Sequence, residues 1–167
     1  MAKTAKRAAN KKSRKSAKPA TRKAARKNAT PGWRLAGSLL QMRAQLDAMY
    51  PGRSKENDGG IGDETHATGP SDHNPWVKDD ATGVVTAIDV THDPSSGCDG
   101  NKLAEALRKS RDERIKYVVW NRQICSATVS PWKWRAYTGD NPHTHHVHVS
   151  VSSSKDLYDD SKDWRIG

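Results

Sequence analysis

The chain has 167 residues, of which 29 % are charged and 34 % hydrophobic, and its length suits one domain around a single core. No run of about 18 apolar residues exists, which excludes a helical membrane span, and the N-terminus lacks the apolar stretch of a secretory signal. The net charge of +10 is uneven: residues 1–30 hold 12 of the 29 Lys and Arg and none of the Asp and Glu, leaving 17 basic against 19 acidic residues elsewhere.

Residues 1–30 are therefore expected to form a disordered basic tail, because Lys, Arg, Ala, Ser and Thr bury too little surface to offset the entropy of ordering. Its charge suits a polyanion, whether nucleic acid, anionic wall polymer or acidic membrane surface; the plainer reading is a solubility tail without a specific partner. Residues 31–167 are expected to be the folded domain, slightly acidic and monomeric. Without a signal peptide, synthesis in the cytoplasm is expected, with any outside action following release or carriage on a virion.

Leu35, Leu39, Met42, Leu46 and Met49, at alternating steps of four and three, predict a helix from about Trp33 to Met49, ended by Pro51-Gly52. Residues 51–83, rich in Gly, Asp, Asn, Pro and Ser, read as loop. Val84 to Val90 predicts one largely buried strand. A helix follows from about Asn101 to Ser110, with Asp99 or Asn101 as cap. Strands are expected over Ile115–Trp120, Gln123–Val129 and His146–Val151, with a Trp-rich loop at 131–135 before the last. This order suggests an α+β fold: a small, mainly antiparallel sheet with flanking helices. Cys98 and Cys125 read as two separate reduced thiols, the alternative being one bridge between them.

Four of the seven His lie in His143-Thr144-His145-His146-Val147-His148. In a strand from His146 to Val151, period two puts His146, His148 and Ser150 on one face and three valines on the other, so two imidazoles can converge on one ion. Asp89 interrupts an apolar run, and a carboxylate in a buried strand is costly unless something cationic faces it. A metal or a buried Arg or Lys would serve. His73, at the end of the polar loop before that strand, is the third candidate. Two neutral imidazoles and one carboxylate, with a fourth position left to water, form the open shell of a catalytic zinc site, whereas closed structural sites favour Cys.

Ser71-Asp72-His73, then Ala87-Ile88-Asp89, then His146-Val147-His148 resembles the LAS metallopeptidases, which include D-alanyl-D-alanine carboxypeptidases, L-alanyl-D-glutamate endolysins and the Hedgehog signalling domain. The resemblance covers about residues 35–151. It implies a Hedgehog/DD-peptidase-like fold, zinc ligands His73, Asp89 and His148, and His146 beside the metal as a catalytic or charge-stabilising group. Arg-Ile-Lys-Tyr-Val-Val-Trp-Asn, Trp-Arg-Ala-Tyr and His-His-Val-His-Val-Ser-Val also look like peptidase-like domains of actinobacterial and phage wall proteins. The chain departs from the family in the longer loop of residues 74–86 and in carrying His145 where several members place a catalytic Glu.

These residues suggest a zinc-dependent peptidase of peptidoglycan peptides, of endolysin or carboxypeptidase type. His146, or else His145 or His92, would handle the proton or stabilise the oxyanion, and Arg135 would grip a substrate carboxylate. Ser71, Asp63, His66 and Trp134 are candidate substrate contacts; for Asp63 and His66 loop capping is the equal alternative. One rival reading is a metal-dependent nuclease whose tail holds DNA, although the folded part is net acidic. The other is a non-catalytic virion or wall-binding protein.

Overall fold

The computed structural model of the chain describes Met1, residues 32–61 and residues 71–167. Apart from Met1, the basic segment expected to be disordered lies outside the described residues, as do Asp63 and His66. The chain runs β1 (Trp33–Leu35), α1 (Gly37–Met49), β2 (Val77–Asp79), β3 (Thr82–Val85), β4 (Ala87–Thr91), a 3-10 turn (Pro94–Ser96), α2 (Gly100–Ser110), β5 (Ile115–Trp120), β6 (Gln123–Ser126), β7 (Arg135–Ala136), β8 (His146–Val151) and α3 (Lys155–Tyr158).

The architecture is α+β, but its strands form two sheets where one was expected. Five antiparallel strands lie in the order β4-β8-β5-β6-β7, and three lie in the order β1-β3-β2, with β1 parallel to β3. The apolar run from Val84 to Val90 is not one strand. It is divided at Thr86, whose N–H donates to the Asp72 carbonyl and whose carbonyl accepts from Val151, so that β3 and β4 enter different sheets.

The expected first helix is shortened in the same region. Trp33–Leu35 is extended because it pairs with Gly83–Val85, and α1 begins only at Gly37. Leu35 therefore reaches the core from a strand, Leu39, Met42 and Leu46 reach it from the helix, and Met49 is left exposed. The presumed loop of residues 51–83 likewise contains β2 and the start of β3, which pair antiparallel.

On α2, Leu103, Ala104 and Leu107 are buried, and the helix packs against β5 and β8. The Asp99 side chain accepts from the Asn101 N–H at 2.8 Å, so of the two candidate caps it is Asp99 that serves. Val118 on β5 and Val147, Val149 and Val151 on β8 are all in the core. Trp120 is buried and donates its Nε1–H to Asn101. Both cysteines are buried and free, and burial pushes each thiol above its ordinary value.

The C-terminal segment closes the other side of α1. Trp164 and Ile166 are buried; the indole N–H of Trp164 donates to the Ser38 carbonyl, and the Arg114 guanidinium lies 3.7 Å from the centre of its ring.

Edge strand β4 is covered by residues 53–60. Gly59 and Asp89 exchange both backbone hydrogen bonds, at 2.9 and 3.2 Å. Asp58 accepts from the Thr91 N–H and hydroxyl, and its carboxylate is gripped by the buried guanidinium of Arg53 at 2.7 and 2.9 Å. Asp58 thus ties the covering loop to Thr91 on the sheet, and Arg53 holds its carboxylate in place.

Candidate metal centre

The register of β4 on β8 sets Asp89 directly opposite His148, so their side chains rise from the same face of the sheet. The third group comes from a loop. His73 is placed by the Ser71 hydroxyl, which accepts its N–H at 3.2 Å, and by the Gly60 carbonyl, which faces its Nδ1 at 2.5 Å. Ser71 is thus the residue that builds the turn carrying His73.

His73 Nε2 lies 3.1 Å from His148 Nδ1 and 3.3 Å from Asp89 Oδ2, and His148 Nδ1 lies 3.0 Å from Asp89 Oδ1. Zinc bound to N and O donors at about 2.0–2.2 Å sets its tetrahedral donors about 3.3 Å apart, so the three groups have the mutual spacing of ligands around one small ion. Side-chain exposure falls to 12 % at His73, 18 % at Asp89 and 7 % at His148.

The outer contacts fix which atoms face inward. A carbonyl accepts only, so the neutral His73 ring carries its proton on Nδ1 and presents the Nε2 lone pair. His148 Nε2 lies 2.9 Å from the Ser150 hydroxyl, which leaves Nδ1 for the centre. The Tyr117 ring stacks on His148 with centroids 5.5 Å apart and planes 14° from parallel. Outer partners that fix ring orientation in this way accompany metal-ligating histidines generally. With both rings neutral in this way, two lone pairs and a carboxylate repel unless a cation, a ring proton or a metal ion, lies between them, and this group of His73, Asp89 and His148 could hold a metal ion.

The electrostatics agree. Burial alone would raise the Asp89 carboxyl, but hydrogen bonds and charge from His148 and His73 hold it far below the usual carboxylate range. Burial alone would lower His73, and the Asp89 carboxylate overrides it and raises the ring above its ordinary value. Asp89 is therefore an anion that draws positive charge to its neighbours. Its ionic partners among the described residues are His73, His146 and His148, not the Arg or Lys of the salt-bridge alternative.

His146 precedes His148 by two on the same face, with Nε2 3.8 Å from Asp89 Oδ1. Burial is the main reason that its ring is held below the ordinary imidazole value. His143, in the His-rich run but not among the expected site residues, also lies beside this group. Its ring centroid is 5.0 Å from that of His146 and 5.3 Å from that of His148, and burial, with the two neighbouring rings, lowers its pKa to about 4. Its backbone takes φ 49°, a left-handed conformation costing about 1–2 kcal/mol.

Other candidates stand elsewhere. His145 is exposed and belongs to neither metal-capable group; its carbonyl accepts the His92 N–H. His92 uses Nδ1 to accept the Gly100 N–H and packs on Trp120, which ties it to the start of α2. Trp134 is half-buried, packs against the core and donates its Nε1–H to Glu105 at 3.3 Å. Arg135 shares the ligand face, since Asp89, His148, Val119, Ile124 and Arg135 are successive cross-strand partners from β4 to β7. Three strand spacings put its backbone about 14 Å from that of His148, too far to touch the centre but within the span of a bound peptide.

Comparison of the chain with protein-family models, with curated proteins and with solved structures returned no match.

Proposed function

We propose that the protein is a zinc-dependent hydrolase that cuts the peptides of bacterial peptidoglycan, with His73, Asp89 and His148 as the ligands. The observation that carries this reading is the meeting of two ring nitrogens and a carboxylate at separations of 3.0–3.3 Å. A donor set of two histidines and one carboxylate with no cysteine suits a catalytic zinc rather than a structural one. The same residues carry the resemblance to the LAS metallopeptidases and to a Hedgehog/DD-peptidase-like fold, and the α+β architecture is compatible with it.

Zinc bound there would supply a Lewis acid that polarises a carbonyl and activates water near neutral pH. His146, neutral and beside Asp89, would receive the proton or donate to the developing oxyanion. Arg135, on the same face of the sheet, would hold a substrate carboxylate by a two-pronged contact. The basic N-terminal segment would keep the protein on an anionic wall polymer or nucleic acid.

The test is elemental analysis of the purified protein joined to mass spectrometry of peptidoglycan after incubation, with plasmid DNA in parallel. Zinc together with released wall peptides supports the proposal. Nicked plasmid with intact peptidoglycan would assign a nuclease, and bound zinc with neither product a binding protein.

A further inference from the structure

The triad of His73, Asp89 and His148 uses only part of the cluster. On the other side of the same carboxylate, Asp89, His143 and His146 form a second set of three ligand atoms within 4.8 Å of one another. The two sets share Asp89 alone, so a single ion does not gather all five side chains.

Each histidine of this second set has a buried ring nitrogen without a hydrogen bond. These atoms, His143 Nδ1 and His146 Nε2, make up half of the four such side-chain atoms among the described residues. His143 is 7 % exposed, with its backbone fixed by Asn141, whose side chain accepts the His143 N–H, and by Asn121, whose N–H donates to the His143 carbonyl. Buried polar atoms in native proteins find partners, and an unsatisfied one calls for an explanation such as an ion. A water or a protein group could satisfy one such nitrogen, but two on neighbouring rings beside one carboxylate match the donors of a cation. Asp89 Oδ1 lies 3.8 Å from His146 Nε2, and a carboxylate oxygen has the lone pairs to serve both sets.

We infer that Asp89, His143 and His146 form a second divalent-cation position, with Asp89 bridging it to the first. The inference rests on the metal centre proposed above and extends it from one ion to two. Two-metal hydrolytic sites hold their ions about 3.5–4 Å apart, a spacing that a shared carboxylate supports. The wider separation of His146 from Asp89 makes the second position the weaker one, so the ions enter in sequence. With the first ion alone His146 keeps the proton-handling role given above; once the second ion binds it becomes a ligand of that ion instead.

The experiment is titration of metal-free full-length protein with Zn2+ against a chromophoric chelator, repeated with Co2+ and followed by electron paramagnetic resonance. The wild-type protein is expected to take two equivalents, the second more weakly, and two Co2+ ions joined through Asp89 should show spin coupling. His143→Ala and the milder His143→Gln should each stop at one equivalent and lose the coupling. Asp89→Ala should lose both. Circular dichroism identifies any variant that fails to fold, and the wild-type stoichiometry and spin coupling stand independently of the variants. Saturation of the wild type at one equivalent overturns the second position and leaves the first intact, whereas no binding removes both. Two equivalents retained in a folded His143 variant would place the second ion elsewhere and also overturn the inference.

Discussion

Gly59 approaches Asp89 so closely that a Cβ built on it would lie 3.0 Å from Asp89 Oδ2, while the two residues exchange both backbone hydrogen bonds. The absence of a side chain at position 59 thus determines where the carboxylate sits. Gly59→Ala should displace the carboxylate by a few tenths of an ångström and weaken zinc binding about tenfold, the lower end of the effect of disturbing a ligand's outer contacts. Its backbone is not in the left-handed region, so little loss of stability is expected. Zinc competition titration and thermal melting of the same variant check the two parts separately.

Removing a ligand should act on metal and turnover together. Asp89→Ala and His148→Ala are each expected to abolish zinc binding at the first position and peptidoglycan hydrolysis. A variant that kept full activity without metal would rule out the metal-dependent mechanism.

Zinc affinity should fall with pH. The Asp89 carboxylate raises the His73 ring above its ordinary value of 6.5, so a proton competes with zinc for Nε2 from a pH above that value downward. Binding should release protons, measured by calorimetry in buffers of different ionisation enthalpy. A pH-independent affinity between pH 5 and 8 would contradict this role for His73.

The Arg53–Asp58 pair should govern the acid stability of the loop over β4. Burial alone would raise the Asp58 carboxyl, but Arg53 and the two Thr91 donors hold it below the usual range. The folded state thus favours the charged form, and its contribution is present above the unfolded-state value of about 3.9. It is lost as pH falls through the lower folded-state value. Asp58→Ala would leave the Arg53 guanidinium, 1 % exposed, with Asp47 as its remaining ionic partner among the described residues. A loss of about 3 kcal/mol, as for a broken buried pair, is expected at neutral pH. Urea unfolding between pH 7 and 2 should show wild type and variant converging at the acid end.

The basic segment should bind polyanions independently of the metal. Deleting residues 1–30 removes 12 positive charges and should abolish salt-dependent binding to DNA or wall polymer while leaving zinc content unchanged. A log–log plot of affinity against salt should lose most of its slope.

The site was more legible in the sequence than the fold around it. The alternation His146-Val147-His148-Val149-Ser150-Val151 is enough to fix which side chains share a face, and Asp89 stands out because a carboxylate in an apolar run needs a partner. The same apolar run hid the change of sheet at Thr86, because no Gly or Pro marks it and the division is made by hydrogen bonds to Asp72 and Val151. Strand β1 was invisible for a similar reason. Three residues are too few to show a period, and their partners on β3 lie about 50 positions away. His143 lies outside the regular elements, so no periodicity says where its ring goes. Only the φ of 49° and the packing against His146 and His148 bring it to the centre.

The cover of residues 53–60 over β4 also guards against self-association. Uncovered strand edges offer unpaired backbone groups on which another chain can add. Because the Asp58 carboxylate that ties this cover to Thr91 loses its charge in acid, the protein should begin to form oligomers at a pH where the core built on Leu39, Val118 and Val149 is still intact.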